Sequence, residues 1–159
     1  MKFGQVVDAG GQQHSKMVKS TVEIENFELS RLPLLSSLSD QEMAIVREKC
    51  EACSFEPGDT ILERGQNDKS VYFIISGCAH VLNYSSSGRA VTYASAAAGE
   101  MFGEMAAIDD LPRSAWVCAI TFCELIKISE ETFISFVQDN PNFAMSVLRK
   151  LSSNLRELD

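Results

Sequence analysis

The chain has 159 residues, of which 45% are hydrophobic, 23% are charged and only four are proline. That is the profile of one folded domain of ordinary size, and it excludes two full-sized domains and a disordered or fibrous chain. Fourteen Lys and Arg against twenty-two Asp and Glu give a net charge of −8, so the chain as a whole repels nucleic acid and anionic membrane, and any anion it binds must be held locally.

No apolar run reaches the roughly 18 residues of a spanning helix, and the N-terminus lacks the basic-then-apolar order of a secretory signal. Five cysteines (Cys50, Cys53, Cys78, Cys118 and Cys123) are scattered without the spacing of a disulfide framework. They suit a reducing, cytoplasmic compartment and read as thiols, mostly buried.

Residues 1–20 are polar, contain Gly10 and Gly11 and show no period, which predicts a flexible N-terminal tail before a domain spanning residues 21–159. From Ile24 through Phe27 to Leu32, Leu34 and Leu35 apolar residues return, interrupted by Pro33, as a short helix followed by a turn. Ser39 and Glu42 stand at capping-box spacing ahead of a helix carrying Met43, Val46 and Cys50 on one face.

Beyond Cys50, the turn signals Pro57-Gly58-Asp59, Arg64-Gly65-Gln66, Ser76-Gly77 and Ser86-Ser87-Gly88 separate short runs rich in Val, Ile, Tyr and Phe. This is an all-β rhythm, with strands predicted near 52–56, 59–62, 71–76, 78–84, 89–94, 114–119 and 122–128. The run Val71 to Ile75 reads as a strand buried on both faces. Seven or eight short antiparallel strands make a roll or barrel. Between Met101 and Asp110 the residues Met105, Ala106, Ala107 and Ile108 suit a short helix inserted between strands.

After Ser129, an N-cap candidate followed by Glu130 and Glu131, the period is helical again through Phe133, Phe136 and Val137 until Asn140-Pro141 breaks it. A last helix carries Ala144, Leu148, Leu151, Leu155 and Leu158 at four- and three-residue steps. This stripe has two readings: it packs on the β-roll, or it is a movable lid or the start of a dimer helix.

The chemistry concentrates in residues 99–117. Gly103 permits close backbone approach to a ligand, the helix opening at Glu104 points unpaired N–H groups at the same place, and Arg113 supplies a bidentate guanidinium. Ser114 adds a hydroxyl. Glu104 would be repelled by a phosphate and suits a sugar hydroxyl instead. A phosphate joined to a ribose meets both demands.

Phe102-Gly103-Glu104 with Pro112-Arg113-Ser114-Ala115 resembles the phosphate-binding cassette of cyclic nucleotide-binding domains, the regulatory module of cAMP-dependent kinases, cyclic-nucleotide-gated channels and bacterial catabolite activators. Pro57-Gly58-Asp59, Ile61, Gly65 and Val71 through Gly77 are similar to the family's early strands, and Arg113 through Val117 looks like the catabolite activator version. The resemblance runs from Leu32 to Leu158. It implies a mainly β fold: an eight-stranded antiparallel, jelly-roll-like β-roll with N-terminal helices, a short cassette helix and C-terminal lid helices.

The resemblance also implies ligand-binding residues Phe102, Gly103, Glu104, Met105, Ala106, Arg113, Ser114 and Ala115, with the cyclic phosphate on Arg113, Ser114 and cassette amides such as that of Ala106. The ribose 2′-hydroxyl then falls to Glu104 and the Gly103 backbone. The cassette is compact, Asp109-Asp110-Leu111 running directly into Pro112. The ligand expected is cAMP in preference to cGMP, with no metal. The purine cap is expected from the last helix, with Val147, Leu148 and Leu151 as candidates.

Other readings carry less. Cys50-x-x-Cys53 lacks a second pair at zinc spacing and is read as structural. His80 lies in a predicted strand as a packed or edge residue, and His14 lies in the tail. A cupin-like metal enzyme lacks a facial triad, and no Walker loop or G-x-S-x-G elbow appears.

The chain is thus expected to be a regulatory sensor, not an enzyme, either standing alone or as the N-terminal module of a longer protein. A β-roll with a degenerate site serving as an interaction module is the alternative. The partners expected are an unidentified effector protein or downstream domain and a second copy through the C-terminal helix, with no DNA binding and no membrane. Ligand is expected to draw the cassette helix inward and, through a hinge at Asn140-Pro141, to fold the last helix over the purine.

Overall fold

The computed structural model describes residues 2–7, 13–18 and 29–157. In chain order the elements are β1 (Lys2–Val7), β2 (Gln13–Val18), two single 3-10 turns (Leu29–Arg31 and Pro33–Leu35), α1 (Asp40–Lys49), β3 (Glu51–Phe55), β4 (Thr60–Leu62), β5 (Val71–Ser76) and β6 (Cys78–Tyr84). There follow β7 (Ala90–Ala97), β8 (Met101–Phe102), α2 (Glu104–Asp109), β9 (Trp116–Ala119), β10 (Cys123–Ile128), α3 (Glu130–Asp139) and α4 (Pro141–Glu157).

The strands form two antiparallel sheets, one in the order β1-β2-β3-β10-β5-β8 and the other β4-β9-β6-β7. Strands β3 to β10 make the predicted eight-stranded roll. The seven predicted strands are present within a few residues of their expected bounds; β8, two residues long, was too short for any period to show.

The N-terminal residues depart from the expected tail. The strands β1 and β2 pair from Lys2↔Val18 to Val7↔Gln13, and β2 joins the edge of β3 at Met17↔Ser54 and Val18↔Cys53. Backbone pairing on a sheet edge needs no apolar period, so composition carries no sign of it. The helix predicted around Ile24 and Phe27 lies outside the described residues. Downstream of it the chain makes only the two 3-10 turns, with Leu29, Leu32 and Leu35 buried.

Strand β5 has core on both faces. Val71 and Phe73 join the cluster under the helices with Leu35, Val46, Phe133 and Phe143, whereas Tyr72 and Ile74 join the cluster between the sheets with Phe55, Leu62, Phe102 and Leu125. Period-2 alternation thus divides one strand between two cores.

The helix boundaries follow local chemistry. Ser39 and Glu42 form both halves of a capping box on α1, and the Ser129 hydroxyl accepts from the Thr132 N–H at the start of α3. Asn140 leaves helical geometry between α3 and α4, and its side-chain oxygen accepts from the Phe143 N–H at 3.0 Å. The five cysteines are thiols, Cys50, Cys53 and Cys123 buried and Cys78 and Cys118 half-buried. Burial pushes the Cys50 thiol up to about 11, which makes it a poor nucleophile.

The last helix turns a different face to the roll than its leucine stripe suggests. Phe143 and Val147 are buried and Leu151 packs on the same core, while Met145, Leu148 and Leu155 are exposed. Phe143 sets this rotation by meeting Phe133 and Phe136 edge-on, at centroid distances of 5.8 and 6.0 Å.

Candidate functional site

Strand β8 ends at Phe102, and the chain enters α2 through Gly103 at φ +85°, in the left-handed region. A side chain here would do more than strain the backbone: a Cβ would lie 2.8 Å from Arg113 Nη1 and 3.0 Å from the Ser70 carbonyl oxygen. Glycine therefore lets the guanidinium lie against the backbone.

Arg113 is 4% exposed and closely held. Its Nη1 donates to the Gly103 carbonyl at 2.7 Å, and its Nη2 donates to the Ser70 carbonyl at 2.6 Å and to Asp68 Oδ2 at 3.3 Å. Its main chain is fixed too, the Arg113 N–H donating to Gln66 O and Gly65 N–H donating to Arg113 O. Two carbonyls and a partly exposed carboxylate orient this cation without satisfying it, because Nε is buried with no hydrogen-bond partner.

Burial raises the Asp68 carboxyl, but hydrogen bonds from the Ser70 hydroxyl and N–H, with the Lys127 and Arg113 cations, outweigh it and hold the group below the usual carboxylate range. Asp68 thus stays ionised beside Arg113. Asp110 takes no part, since it ends α2 at φ 59° and pairs with Lys69 on the surface.

Glu104 opens α2 and is also buried, at 4% exposure. Its Oε1 accepts from Lys150 Nζ of α4 at 3.0 Å. The β8–β9 connection therefore carries an oriented cation and, nine positions before it, a carboxylate paired with the last helix.

Phe102, Gly103, Glu104, Met105, Ala106, Arg113, Ser114 and Ala115 lie together on the wall of one cavity of about 330 Å³, within the roughly 300–1,000 Å³ span of small-molecule pockets. The first-turn N–H groups of α2, which have no partner inside the helix, belong to Glu104, Met105 and Ala106 on that wall. Leu62, Val81, Tyr93, Ala94 and Val117 complete a largely apolar remainder. Phe102 is backed by Tyr72, their rings stacked at 5.2 Å with an interplanar angle of 6°. The wall thus combines a buried cation and a buried carboxylate with a mostly apolar remainder.

Beyond the apolar wall, four polar or aromatic wall residues were not found from sequence. Asn83 on β6 donates from Nδ2 to the Ser114 carbonyl at 3.3 Å, and its Oδ1 is buried without a partner. Tyr93 on β7 brings an aromatic ring, and α4 brings Lys150 and Asn154. The purine caps expected on α4 lie off the cavity wall in this arrangement of the helix. Val147 and Leu151 belong to the helix-side core, Leu148 is exposed, and none of the three lines the cavity.

Among the described residues no three His, Cys, Asp or Glu side chains cluster as metal ligands, and no helix is long and apolar enough to cross a membrane. His80, half-buried in β6, pairs in register with Ser95 and Cys118.

Comparison with known proteins agrees with this geometry. Residues 52–140 match the family model of the cyclic nucleotide-binding domain. Over 105 residues the chain is 33% identical to a cAMP-dependent protein kinase regulatory subunit of Aspergillus fumigatus, covering 66% of this chain and 25% of that protein. A crystal structure of the Thermus thermophilus catabolite activator protein superposes with a TM-score of 0.67 at 26% identity, over 79% of this chain and 59% of that one.

The regulatory subunit of a cAMP-independent protein kinase A from Trypanosoma brucei shares the fold, with a TM-score of 0.69 at 23% identity, over 84% of this chain and 48% of that one. The chain spans between a quarter and about three-fifths of the length of these relatives. With the matched segment covering more than half of its residues, the chain belongs to the cyclic nucleotide-binding domain family.

Proposed function

We propose that the cavity binds a purine 3′,5′-cyclic nucleotide, cAMP in preference to cGMP, and that the chain is a regulatory sensor with no catalysis of its own. The observation that carries the reading is the pairing, on one cavity wall, of a buried guanidinium that retains a donor and a buried carboxylate. The cyclic phosphate would sit at Arg113, Ser114 and the first amides of α2, where the guanidinium is already oriented and reorganises little on binding. Glu104 would accept from the ribose 2′-hydroxyl, since a carboxylate is repelled by phosphate and attracts a hydroxyl donor. The base would lie against Val81, Tyr93 and Ala94. The names of the regulatory subunit and activator relatives support cAMP as the ligand.

The response is read as a population shift of α4, which reaches the cavity through Lys150 and Asn154 and leaves Met145, Leu148 and Leu155 exposed for an effector protein, a downstream domain or a second copy. The setting is cytoplasmic, and DNA and membrane are not partners of this chain. Calorimetric titration of nucleotide-stripped protein with cAMP, cGMP and 5′-AMP tests the reading. Binding of cyclic nucleotides without 5′-AMP, cAMP the tighter, is the expected result; absence of binding by folded protein overturns it in favour of an interaction module with a degenerate site.

A further inference from the structure

We infer that Lys150 is an internal competitor for the ligand: in the empty site its ammonium occupies Glu104, and a nucleotide binds tightly only by taking that carboxylate from it. The inference rests on the proposal that a ribose hydroxyl docks at Glu104, and it adds the group that sets the affinity and ties binding to the last helix.

The contact is specific in its placement. Lys150 Nζ lies 3.0 Å from Glu104 Oε1 across 46 residues of sequence, with the two side chains 19% and 6% exposed. A carboxylate so buried needs a partner, and among the described residues Lys150 is the one that its oxygens have. Both residues also form part of the cavity wall. A hydroxyl entering from the cavity must therefore compete with the ammonium for the charge of this carboxylate.

The handover is physically reasonable because the two ends of the contact differ. Glu104 is fixed in the first turn of α2 behind Gly103, whereas Lys150 reaches it on a flexible four-carbon stem and can return its charge to solvent. Asn154, one helical turn farther along α4, lines the same cavity. Release of Lys150 thus unfastens this part of α4, while Phe143 and Val147 stay buried at its other end.

The competition makes an unusual expectation about the ligand. With Lys150 present, the gain from the 2′-hydroxyl is offset by the broken ion pair; without it, Glu104 is a buried charge in the empty site and the hydroxyl is its first partner. The test titrates the full 159-residue chain, stripped of nucleotide, with cAMP and with 2′-deoxy-cAMP.

Lys150→Met, which keeps the apolar stem, is expected to bind cAMP about tenfold tighter than wild type. It should bind 2′-deoxy-cAMP no tighter. Lys150→Arg, which keeps the cation, should behave as wild type, and Lys150→Gln serves in place of the Met variant if that one melts early. Weaker cAMP binding by the neutral variants would make Lys150 a direct ligand contact and overturn the inference; so would equal changes for both nucleotides. If wild type binds cAMP and the variants leave both affinities alone, the competitor role fails by itself. If wild type binds neither, it falls together with the proposed function.

Discussion

Gly103 and Arg113 are built to fit each other: the Gly103 carbonyl accepts from Arg113 Nη1 at 2.7 Å, and the place where a Gly103 Cβ would stand is 2.8 Å from the same nitrogen. The glycine is required twice, once for φ +85° and once for the space the guanidinium occupies. Gly103→Ala should therefore cost about 1–2 kcal/mol in backbone strain and also push the guanidinium off its carbonyls. The expected outcome is a lower melting temperature together with a loss of cyclic nucleotide affinity of tenfold or more. A variant that melts lower yet binds as wild type would show that the guanidinium need not rest on this backbone to hold the ligand.

Arg113 itself serves both the fold and the proposed site. Arg113→Ala removes the partner of two carbonyls and of Asp68, and takes away the only positive charge expected to meet the phosphate, so a binding loss of about 2–5 kcal/mol is expected. Arg113→Lys separates the two effects. It restores the charge but not the planar fork that reaches the Gly103 and Ser70 carbonyls. Its affinity should fall between those of Ala and wild type in a titration at fixed salt; equality with wild type would mean that only charge matters.

The contrast between Arg113 and Asn83 shows how much of the site could be read from sequence. Arg113, Gly103 and Glu104 lie within eleven consecutive positions, where a glycine, a helix start and a cation have meaning through their spacing alone. Asn83 reaches the cavity only because β6 pairs with β9 as far as Leu82↔Trp116, which brings it beside Ser114. Tyr93 depends in the same way on β7, and Lys150 on the rotation of α4. That rotation is decided by Phe143 against Phe133 and Phe136, a tertiary choice that a leucine stripe at heptad-like steps misreports. Ser39 with Glu42 and Ser129 were legible because a cap is satisfied within four residues.

Acid should weaken the fold through two carboxyls. Asp68 is held below its ordinary range as described above; in Glu42 burial again raises the pKa, and hydrogen bonds from the Ser39 N–H, the Asn140 amide and the Ser39 hydroxyl outweigh it. A carboxyl whose pKa is lower folded than unfolded adds stability that is complete above its unfolded pKa and is lost as pH falls through the folded one. Denaturant midpoints should thus hold steady near neutrality and decline below about pH 5, where unfolded carboxyls begin to take up protons. Asp68→Asn should make that decline shallower, and an unchanged acid limb would remove Asp68 from the account.

Asn140 is expected to be the residue that holds the helix junction closed. Its Nδ2 donates to Ser37 O and to Glu42 Oε1, both at 2.9 Å, and its Oδ1 caps α4 at the Phe143 N–H. Glu42 Oε1 also accepts from the Ser39 N–H at 3.0 Å, so one carboxylate oxygen joins the cap of α1 to the cap of α4. Asn140→Ala removes three hydrogen bonds at a part-buried position and leaves the Ser37 carbonyl and Phe143 N–H without these partners. At about 1 kcal/mol per bond, with an N-cap worth a similar amount, a loss of about 2–3 kcal/mol follows. Asn140→Asp keeps the acceptor for Phe143 but sets a second carboxylate against Glu42, so it should recover the cap and lose the tether. Chemical denaturation of the two variants, with amide exchange read at Phe143 and Val147, checks the assignment. The alanine variant should expose both amides, while the aspartate should keep Phe143 protected at a lower global stability. If neither variant loses protection, Phe143 packing alone fixes α4, and the junction is a passive turn.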